Sequence, residues 1–535
     1  MNGADFSRRG FLKSAVAGAT AGAAGFPAAA ESRRAEERTC GSDWEKPPQQ
    51  TGNGLNLILI VADTFRADNL VCYGPKWLER LETPNLDRFA QRATVFADAY
   101  AEVMPTIPIR RTLYTGRRGI PASYFPQHEN VQLPGWHPLF HEDVTLSETL
   151  REAGYINTLI SSVYHQFKPG RNFQRGFHTW EWIRGLEFDF YGTAPHHPLD
   201  VSDLVSDEYL AKNSGLRDFL SQYKANRNLW QQQGESVSQI TAQAAIRWLN
   251  QNYAERPFYL HVEFFDPHEP WDPPRRFLEK YMPNARPPSF IEPPYDTVPL
   301  SADIKNRMRA NYAGAVSCVD HWVGSLLETV EQFGLLENSV VVFTADHGAM
   351  LGEREQFLKG PDKLRGQVTH IPLLIHAPGN ADGGKKVQGF VQFPDVMPTV
   401  LGRLALKPPS RVTGRDFWPL ATGGSASTHE YVVQTYGWVG AVRNAEWSYS
   451  EIWKPEAHKD KFHKCPDAPA EPYQPQLYNL QNDPKELTDV ADQYPDVARQ
   501  MSARMKEYIA SGDGLTLGSF SGKPSLAVQE GLYSK

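Results

Sequence analysis

The chain has 535 residues, of which 41% are apolar and 22% are charged, and these values are typical of a globular protein rather than a disordered chain. The formal net charge of -7, without a basic stripe interleaved with aromatic residues, argues against nucleic acid as a partner. A single hydrophobic core stops growing near roughly 250–300 residues, so the length predicts two domains or one large domain with an appendage.

The first thirty residues have the features of an export signal. Arg8 and Arg9 precede an Ala/Gly-rich stretch, and residues 28–30 are three alanines that suit a signal peptidase. This order resembles a twin-arginine signal, so we expect residues 1–30 to direct the protein to the periplasm or out of the cell. Residues 31–52 are polar and predict a flexible lead-in. Later apolar runs are too short to span a bilayer, so stable membrane insertion is not expected.

Apolar runs alternate with helical patterns from residue 53 onwards. The runs predict buried strands at residues 55–62, 158–161, 257–264, 339–344 and 371–376. The helical patterns lie at residues 85–92, 145–153, 236–252 and 302–333. We therefore predict an α/β catalytic domain at residues 53–425, with a mostly parallel central sheet and helices on both faces. Ligands in such sheets bind beyond the carboxyl ends of the strands.

Two long stretches, residues 167–228 and 269–300, have no regular pattern and are predicted to form the rim of a substrate pocket. The first is rich in aromatic residues, which either stack on a sugar or aryl ring or form a small core of their own: Trp180, Trp182, Phe188, Phe190 and Tyr191. A strand pattern at residues 431–436 and a helical pattern at 494–511 predict a smaller C-terminal α+β subdomain, residues 426–535.

Polar residues follow two of the predicted strands. Asp63 comes directly after the first, where it suits either a helix cap or a metal ligand. Asp346 and His347 close another apolar run, and packing alone explains such a pair poorly. Carboxylates with one imidazole suit calcium, magnesium, manganese or zinc. Pro108 indicates the start of a helix, and Thr106 and Arg110 are expected to lie close together in its first turns.

Taken together, these segments resemble the sulfatases and the related phosphonate monoester hydrolases. The segment N-L-I-L-I-V-A-D-T-F-R looks like the opening motif of that family, and P-T-I-P-I-R-R-T-L-Y-T-G-R stands in place of its Cys-x-Pro-x-Arg motif. E-F-F-D-P-H-E-P, T-A-D-H-G-A-M-L-G-E and L-Y-N-L-Q-N-D-P-K-E are similar to its later motifs. The resemblance covers residues 53 to 490 and implies an alkaline-phosphatase-like sandwich.

The resemblance also implies roles for the polar residues. Asp63, Asp346 and His347 would bind one divalent metal ion, with calcium as the first choice and manganese, magnesium or zinc as alternatives. Thr106 stands at the position of the nucleophile, and Arg110 would hold it.

Three further residues are implied as members of the same site. His268 and Lys359 would bind the ester oxygens or protonate the leaving group. His165 lies near the Lys-x-His segment of the family, although the spacing differs by one residue and the lysine is absent.

Thr106 is the main departure from the family pattern. Sulfatases use formylglycine, which is made by oxidising a cysteine or a serine. Threonine lacks the primary Cβ that this oxidation needs, so no formylglycine is expected. A threonine hydroxyl beside a metal and a cation is a plausible nucleophile towards phosphorus or sulfur. A sulfo-threonine lacks the hydroxyl through which formylglycine expels sulfate, so slow turnover is expected.

Three functions stay open. The first is hydrolysis of a sulfate ester, with a small anionic ester or a sulfated saccharide as substrate, and family resemblance favours it. The second is a phosphodiester or phosphonate monoester hydrolase, favoured by Thr106 and by Thr64, where many sulfatases have a second carboxylate. The third is a catalytically silent binding protein, against which the complete metal set argues. The sequence predicts neither the oligomeric state nor a pairing of the four cysteines.

Overall fold

The computed structural model describes residues 51–120, 135–168, 170–193, 198–212, 215–255, 257–379, 383–424, 428–453 and 473–511. The predicted export signal, the lead-in up to residue 50 and two cysteines, Cys40 and Cys465, lie outside these ranges. Within them, Cys72 and Cys318 form no disulfide. No helix among the described residues combines the length and apolarity needed to cross a membrane.

The strands of the described residues form a large sheet, a smaller sheet and one short pair. They are β1 (Asn56–Ala62), β2 (Thr94–Tyr100), β3 (Val103–Met104), β4 (Ile156–Ser161), β5 (Thr179–Trp182), β6 (Phe258–Phe264), β7 (Ser339–Ala345), β8 (Met350–Leu351), β9 (Phe357–Leu358), β10 (Leu373–His376), β11 (Lys386–Gln392), β12 (Val432–Tyr436), β13 (Val439–Arg443), β14 (Trp447–Ile452) and β15 (Gln476–Asn479). The large sheet has eight strands in the order β11-β2-β10-β7-β1-β6-β4-β5. Only β10 runs antiparallel to its neighbours in that sheet, as far as the described residues extend.

Helices cover both faces of the large sheet. They are α1 (Pro84–Ala90), α2 (Thr106–Thr115), α3 (Leu146–Glu152), α4 (Asp207–Ala211), α5 (Leu216–Trp230), α6 (Val237–Asn252), α7 (Arg275–Leu278), α8 (Ala302–Gln332), α9 (Gly366–Thr369), α10 (Phe393–Arg403), α11 (Trp418–Thr422) and α12 (Pro495–Ser511). Successive side chains of a strand point to opposite faces of the sheet, so β1 contributes to a core on each face. Ile58 and Ile60 join the core beneath α1, α6 and α8, whereas Leu57 and Leu59 join the core beneath α2, α3 and α10. The predicted α/β layers are thereby confirmed.

The smaller sheet has the order β15-β14-β13-β12-β3, and α12 packs on it through Met501 and Met505. Its edge strand β3 comes from the segment just before α2 and pairs in parallel with β12, Val103 opposite Thr435. Tyr508 of α12 donates a 3.0 Å hydrogen bond to Glu102. The C-terminal layer therefore contacts the segment that leads into α2, while the predicted boundary near residue 425 stays a prediction.

The stretch from residue 167 to 228 is more regular than its sequence indicates. It contains β5 and most of the fifteen-residue helix α5. Leu220, Tyr223 and Trp230 of α5 are buried, and their spacing is helical. The many polar residues between them obscure that pattern, which is the reason that the helix is missed in the sequence.

Candidate active site

The predicted metal ligands meet at the carboxyl ends of two neighbouring strands. Asp63 follows β1, and Asp346 and His347 follow β7, which pairs with β1 in parallel. All three side chains are fully buried. One ligand atom from each lies within 4.8 Å of the others, as in a site for a single cation. This part of the sequence interpretation therefore agrees with the geometry.

Arg110 connects these carboxylates. It lies in the second turn of α2 and its guanidinium donates to Asp346 Oδ2 at 2.8 Å and to Asp63 Oδ2 at 3.1 Å. Its Nε donates to Glu263 Oε2 at 2.6 Å. Three carboxylates therefore surround one guanidinium, and all four side chains are fully buried. One positive charge against three negative charges leaves an excess of two, which is the charge of a divalent cation.

Glu263 is a site residue that the sequence interpretation missed. It lies in β6, next to β1, and its Oε1 accepts a 2.7 Å hydrogen bond from Gln166. Burial favours the protonated form of this carboxyl, but Arg110 and His261 together outweigh that effect and hold its pKa at about 2. The sequence could have indicated this role, because Glu263 lies in the apolar strand F-Y-L-H-V-E-F. A charged residue is rarely buried in such a strand unless it pairs with an opposite charge.

The donor set fits a divalent metal ion. His347 Nδ1 lies 3.0 Å from the carbonyl oxygen of Gly348, to which it donates, so its Nε2 carries the lone pair. That Nε2 is buried and has no hydrogen-bond partner among the described residues. Burial lowers the pKa of His347, which keeps the imidazole neutral as a ligand must be. Burial and then Asp346 raise the pKa of Asp63, a repulsion that a bound cation would relieve.

Metal binding is predicted to depend on His347. We expect His347→Ala to weaken the affinity for a divalent ion by at least about 100-fold, because loss of even an outer-shell partner costs 10–100-fold. Titration calorimetry on the chelator-treated protein measures this change. His321→Ala, at a half-buried histidine of α8 away from the site, serves as the control. Equal affinities of both variants would contradict the assignment.

A second polar cluster contains Lys359, His268, Glu269 and Tyr295. Lys359 Nζ lies 2.7 Å from Glu269 Oε1, 2.8 Å from His268 Nε2 and 3.2 Å from the Tyr295 hydroxyl. An ammonium only donates, so His268 Nε2 accepts and its Nδ1 donates to the Glu269 carbonyl oxygen at 2.7 Å. In this state Lys359, and not His268, carries the transferable proton of the pair.

The neutral state of His268 has a consequence for pH. Burial lowers the pKa of His268 to about 4, from an ordinary value of 6.5. Between these values the unfolded chain binds a proton that the folded chain does not, so acidification costs the folded state on the order of 3 kcal/mol. We expect His268→Gln to reduce the loss of unfolding free energy across this range, as measured by urea unfolding. Equal pH slopes for wild type and variant would contradict a neutral His268.

The second cluster lines one large pocket, to which Thr106 also contributes. Its volume is about 1170 Å³, and Thr106, His165, His268 and Lys359 are among the residues that line it. Thr106 begins α2 and is 2% exposed. The fully buried metal ligands do not line the pocket. Arg110 links them to it, since its Nη1 donates to the Thr106 carbonyl oxygen at 3.0 Å.

The predicted rim and the remaining histidine also belong to this pocket. Residues between 187 and 219 and between 268 and 301 form most of its wall, as the two irregular stretches predict. His165 is 3% exposed, and its Nε2 lies 2.9 Å from Glu187 Oε2. Of the aromatic insertion, Phe188 lines the pocket and packs on Phe219 with ring centroids 4.8 Å apart. Trp182 instead stacks on Phe167, within the insertion's own core.

Comparison with protein families gives two matches. A model described as Sulfatase matches residues 55–406, and one described as N-sulphoglucosamine sulphohydrolase, C-terminal, matches residues 363–511. Among similar proteins, an arylsulfatase of Clostridium perfringens is 26% identical over 81% of this chain and 90% of its own length. An N-acetylgalactosamine-6-O-sulfatase of Bacteroides thetaiotaomicron is 22% identical over 86% of this chain and 94% of its own length.

Solved structures share the fold. A phosphonate monoester hydrolase of Agrobacterium radiobacter superposes with a TM-score of 0.63 at 20% identity, covering 86% of this chain and 96% of that one. A protein solved with its substrate D-glucosamine-2-N,6-O-disulfate gives 0.60 at 17% identity, covering 86% and 99%. The fold is therefore alkaline-phosphatase-like, as the sequence predicts. With the first family model spanning more than half of its length, the chain belongs to the sulfatase family and is a hydrolase that acts on ester bonds.

Proposed function

We propose that the protein hydrolyses a sulfate monoester of an organic alcohol, with a divalent metal ion held by Asp63, Asp346 and His347. The observation that carries the proposal is the excess of two negative charges around Arg110, directly behind the pocket that Thr106 lines. Family membership supports sulfate as the anion. A protein that only bound a ligand would have no need for this buried charge arrangement, which argues against the catalytically silent alternative.

The bound metal ion would supply Lewis acidity towards an ester oxygen. The family resemblance favours calcium, which takes six to eight oxygen ligands in most sites. The imidazole of His347 adds a reason for manganese or zinc, which accept nitrogen ligands readily. Metal analysis of the protein as purified distinguishes these ions.

In the proposed reaction, Thr106 is the nucleophile. Its hydroxyl proton passes to water as Oγ1 forms a bond to sulfur and the bond from sulfur to the alcohol oxygen breaks. Arg110 holds the backbone of Thr106 in place at the N-terminus of α2, where the helix dipole favours negative charge. Lys359 gives a proton to the departing alcohol, and His268 holds that ammonium in position. Water then attacks the sulfur of the sulfo-threonine, which restores the Thr106 hydroxyl and releases sulfate, and a proton of that water returns to Lys359.

A phosphodiester or phosphonate monoester is the second candidate substrate. Threonine at position 106 favours it, because a phospho-threonine needs no adjacent hydroxyl for its hydrolysis. Thr64 favours it as well, since this side chain donates a 2.8 Å hydrogen bond to Asp63 Oδ1 where many sulfatases have another carboxylate. The names of the relatives support a sulfated saccharide, which the sequence also predicts, as a candidate substrate. We also propose export by the twin-arginine route, which N-terminal sequencing of the mature protein tests.

Hydrolysis of matched esters tests the proposed function. The metal-loaded protein is assayed with the para-nitrophenyl esters of sulfate, phosphate and methylphosphonate and with a phosphodiester. Preference for the sulfate ester, abolished by a chelator and restored by metal, is the expected result. Preference for a phosphorus ester would instead support the second candidate, a phosphodiester or phosphonate monoester hydrolase. Failure to hydrolyse any of the four with metal bound would contradict both.

A further inference from the structure

The large pocket presents apolar side chains that are only partly covered by the protein. They come from the two irregular stretches and from the first turn of α8, and together they form the apolar wall of the pocket: Phe188, Leu216, Phe219, Val298, Leu300 and Ile304. Phe188 is 48% exposed, and the other five are half-buried. Phe219 and Ile304 also pack against the main core, which holds them in place. The apolar wall is therefore a fixed surface that the hydrocarbon part of a ligand can cover.

The pocket offers few polar groups to a saccharide. Among its described lining residues there is no arginine, asparagine or glutamine. The hydroxyls of Ser206 and Ser301 accept backbone N–H groups as the caps of α4 and α8. Pro293, Pro294 and Pro299, which also line it, have no N–H to donate. Each hydroxyl of a sugar ring loses hydrogen bonds to water when it is buried without a partner, so this lining suits hydrocarbon better.

The charges of the pocket lining disfavour a second anionic group on the substrate. Five carboxyl groups line the pocket, against two lysines. Lys212 is paired with Glu208 at 3.1 Å, and Lys359 is paired with Glu269 at 2.7 Å. A second sulfate or carboxylate would find both lysines neutralised and would meet further carboxyl groups. The pocket therefore suits a substrate whose only charge is the ester that reacts.

The pocket is also larger than a single ring requires. Its volume of about 1170 Å³ exceeds the roughly 300–1,000 Å³ of pockets that bury a drug-sized molecule. Thr106 and Lys359 line the same pocket as the apolar wall. An ester with its sulfate at Thr106 therefore has room for a large alcohol in this pocket.

We propose that the leaving alcohol is hydrophobic, larger than one six-membered ring and free of a second charge, and that it packs on the apolar wall while its sulfate faces Thr106. This class of substrate differs from the sulfated saccharides that the names of several relatives describe. The inference rests on the proposed function for the sulfate end. The assignment of the alcohol end rests on the pocket alone.

The para-methyl, para-propyl and para-pentyl derivatives of phenyl sulfate test the inference. Alkyl groups of different length have nearly the same electronic effect on the phenol oxygen, so the leaving groups match. We expect kcat/KM to rise about fourfold for each added methylene, the worth of burying one.

Phe219→Ala removes part of the apolar wall. The ratio of kcat/KM for the pentyl ester to that for the methyl ester should fall at least about fourfold, the worth of one buried methylene. Because this ratio is taken within one variant, a loss of stability does not change it. Leu229→Ala, which truncates a 37% exposed leucine of the same helix outside the pocket lining, should keep the wild-type ratio.

Cyclohexylmethyl sulfate and D-glucose 6-sulfate compare a hydrocarbon ring with a sugar ring at a primary alcohol. The sugar is the better leaving group, so a higher kcat/KM for the cyclohexylmethyl ester reports on the pocket. We expect it to be higher by at least about tenfold, because buried sugar hydroxyls would lack partners. Preference for glucose 6-sulfate, or equal kcat/KM for the three alkylphenyl esters, would overturn the hydrophobic alcohol and leave the proposed function intact.

Binding of free para-methylphenol and para-pentylphenol to the metal-loaded enzyme, measured by calorimetry, separates this inference from the proposed function. We expect the pentyl compound to bind at least about tenfold more tightly. That result without hydrolysis of any sulfate ester would refute the proposed function and support the apolar wall as the site of a hydrophobic ligand. Equal binding of the two phenols would overturn the inference.

Discussion

In the absence of metal, the free energy of unfolding of Arg110→Met is expected to be about 3–5 kcal/mol lower than that of the wild type. The guanidinium is the only described positive group that contacts Asp63, Asp346 and Glu263 together, and its removal leaves three buried carboxylates uncompensated. We also expect ester hydrolysis to fall by on the order of 10²-fold, the cost of misplacing a reacting group, because Arg110 holds the Thr106 backbone in position. Urea unfolding and initial rates at matched folded fractions measure the two effects.

Arg111→Met is the matched control for this prediction. Arg111 is the next residue of α2, is 3% exposed and pairs with Asp143 at 2.9 Å. Asp143 keeps a second partner, Arg117, at 3.1 Å, so the control should lose less stability than Arg110→Met. It should keep its turnover, because Arg111 contacts neither the metal ligands nor the pocket. If Arg110→Met matched Arg111→Met in both measurements, the charge argument for the metal centre would be wrong.

Thr106→Val is expected to lower kcat by on the order of 10³-fold or more, the range that follows removal of a nucleophile. Valine keeps the shape of threonine and removes only the hydroxyl, so the fold of α2 should persist. Thr106→Ser keeps the hydroxyl and should retain turnover within about tenfold of the wild type. Metal content and circular dichroism of both variants establish that the centre is assembled.

Thr112→Val is the control for the loss of a hydroxyl from the same helix. Thr112 is buried, donates at 2.7 Å to the carbonyl oxygen of Ile109 and lies outside the pocket lining. A stability loss of about 1 kcal/mol with unchanged turnover is expected. Undiminished turnover in Thr106→Val would instead assign the attack to water, and Thr106 would only shape the pocket.

The parts of the site that sequence reasoning locates are those at the ends of strongly apolar strands. The sequence predicts Asp63 and the pair Asp346-His347 as site residues, because β1 and β7 are continuous apolar runs followed directly by these polar residues. Parallel pairing of these strands then brings the residues together without further information. The two irregular stretches line the pocket as the sequence predicts, because long loops in a compact domain commonly form binding sites.

Other features depend on contacts between distant segments. In the sequence, Glu263 is an isolated charge. Its partner Arg110 is distant in sequence and lies 2.6 Å from it only in the folded structure. The proton position in the cluster of Lys359 and His268 follows only from a contact across 91 positions of the chain. Strands β2 and β11 lack clear alternation, and α10 contains Pro398, which disguises its helical pattern.

Whether Thr106 attacks the sulfur of a sulfate ester is best tested by trapping the covalent intermediate. The metal-loaded enzyme is mixed with para-nitrophenyl sulfate, quenched in acid within one turnover and digested, and the peptide that contains Thr106 is analysed by mass spectrometry. Because sulfo-threonine lacks the neighbouring hydroxyl that would expel sulfate, it should accumulate. We expect a sulfo group on Thr106 that is absent in Thr106→Val. Release of nitrophenol with Thr106 unmodified throughout would contradict it.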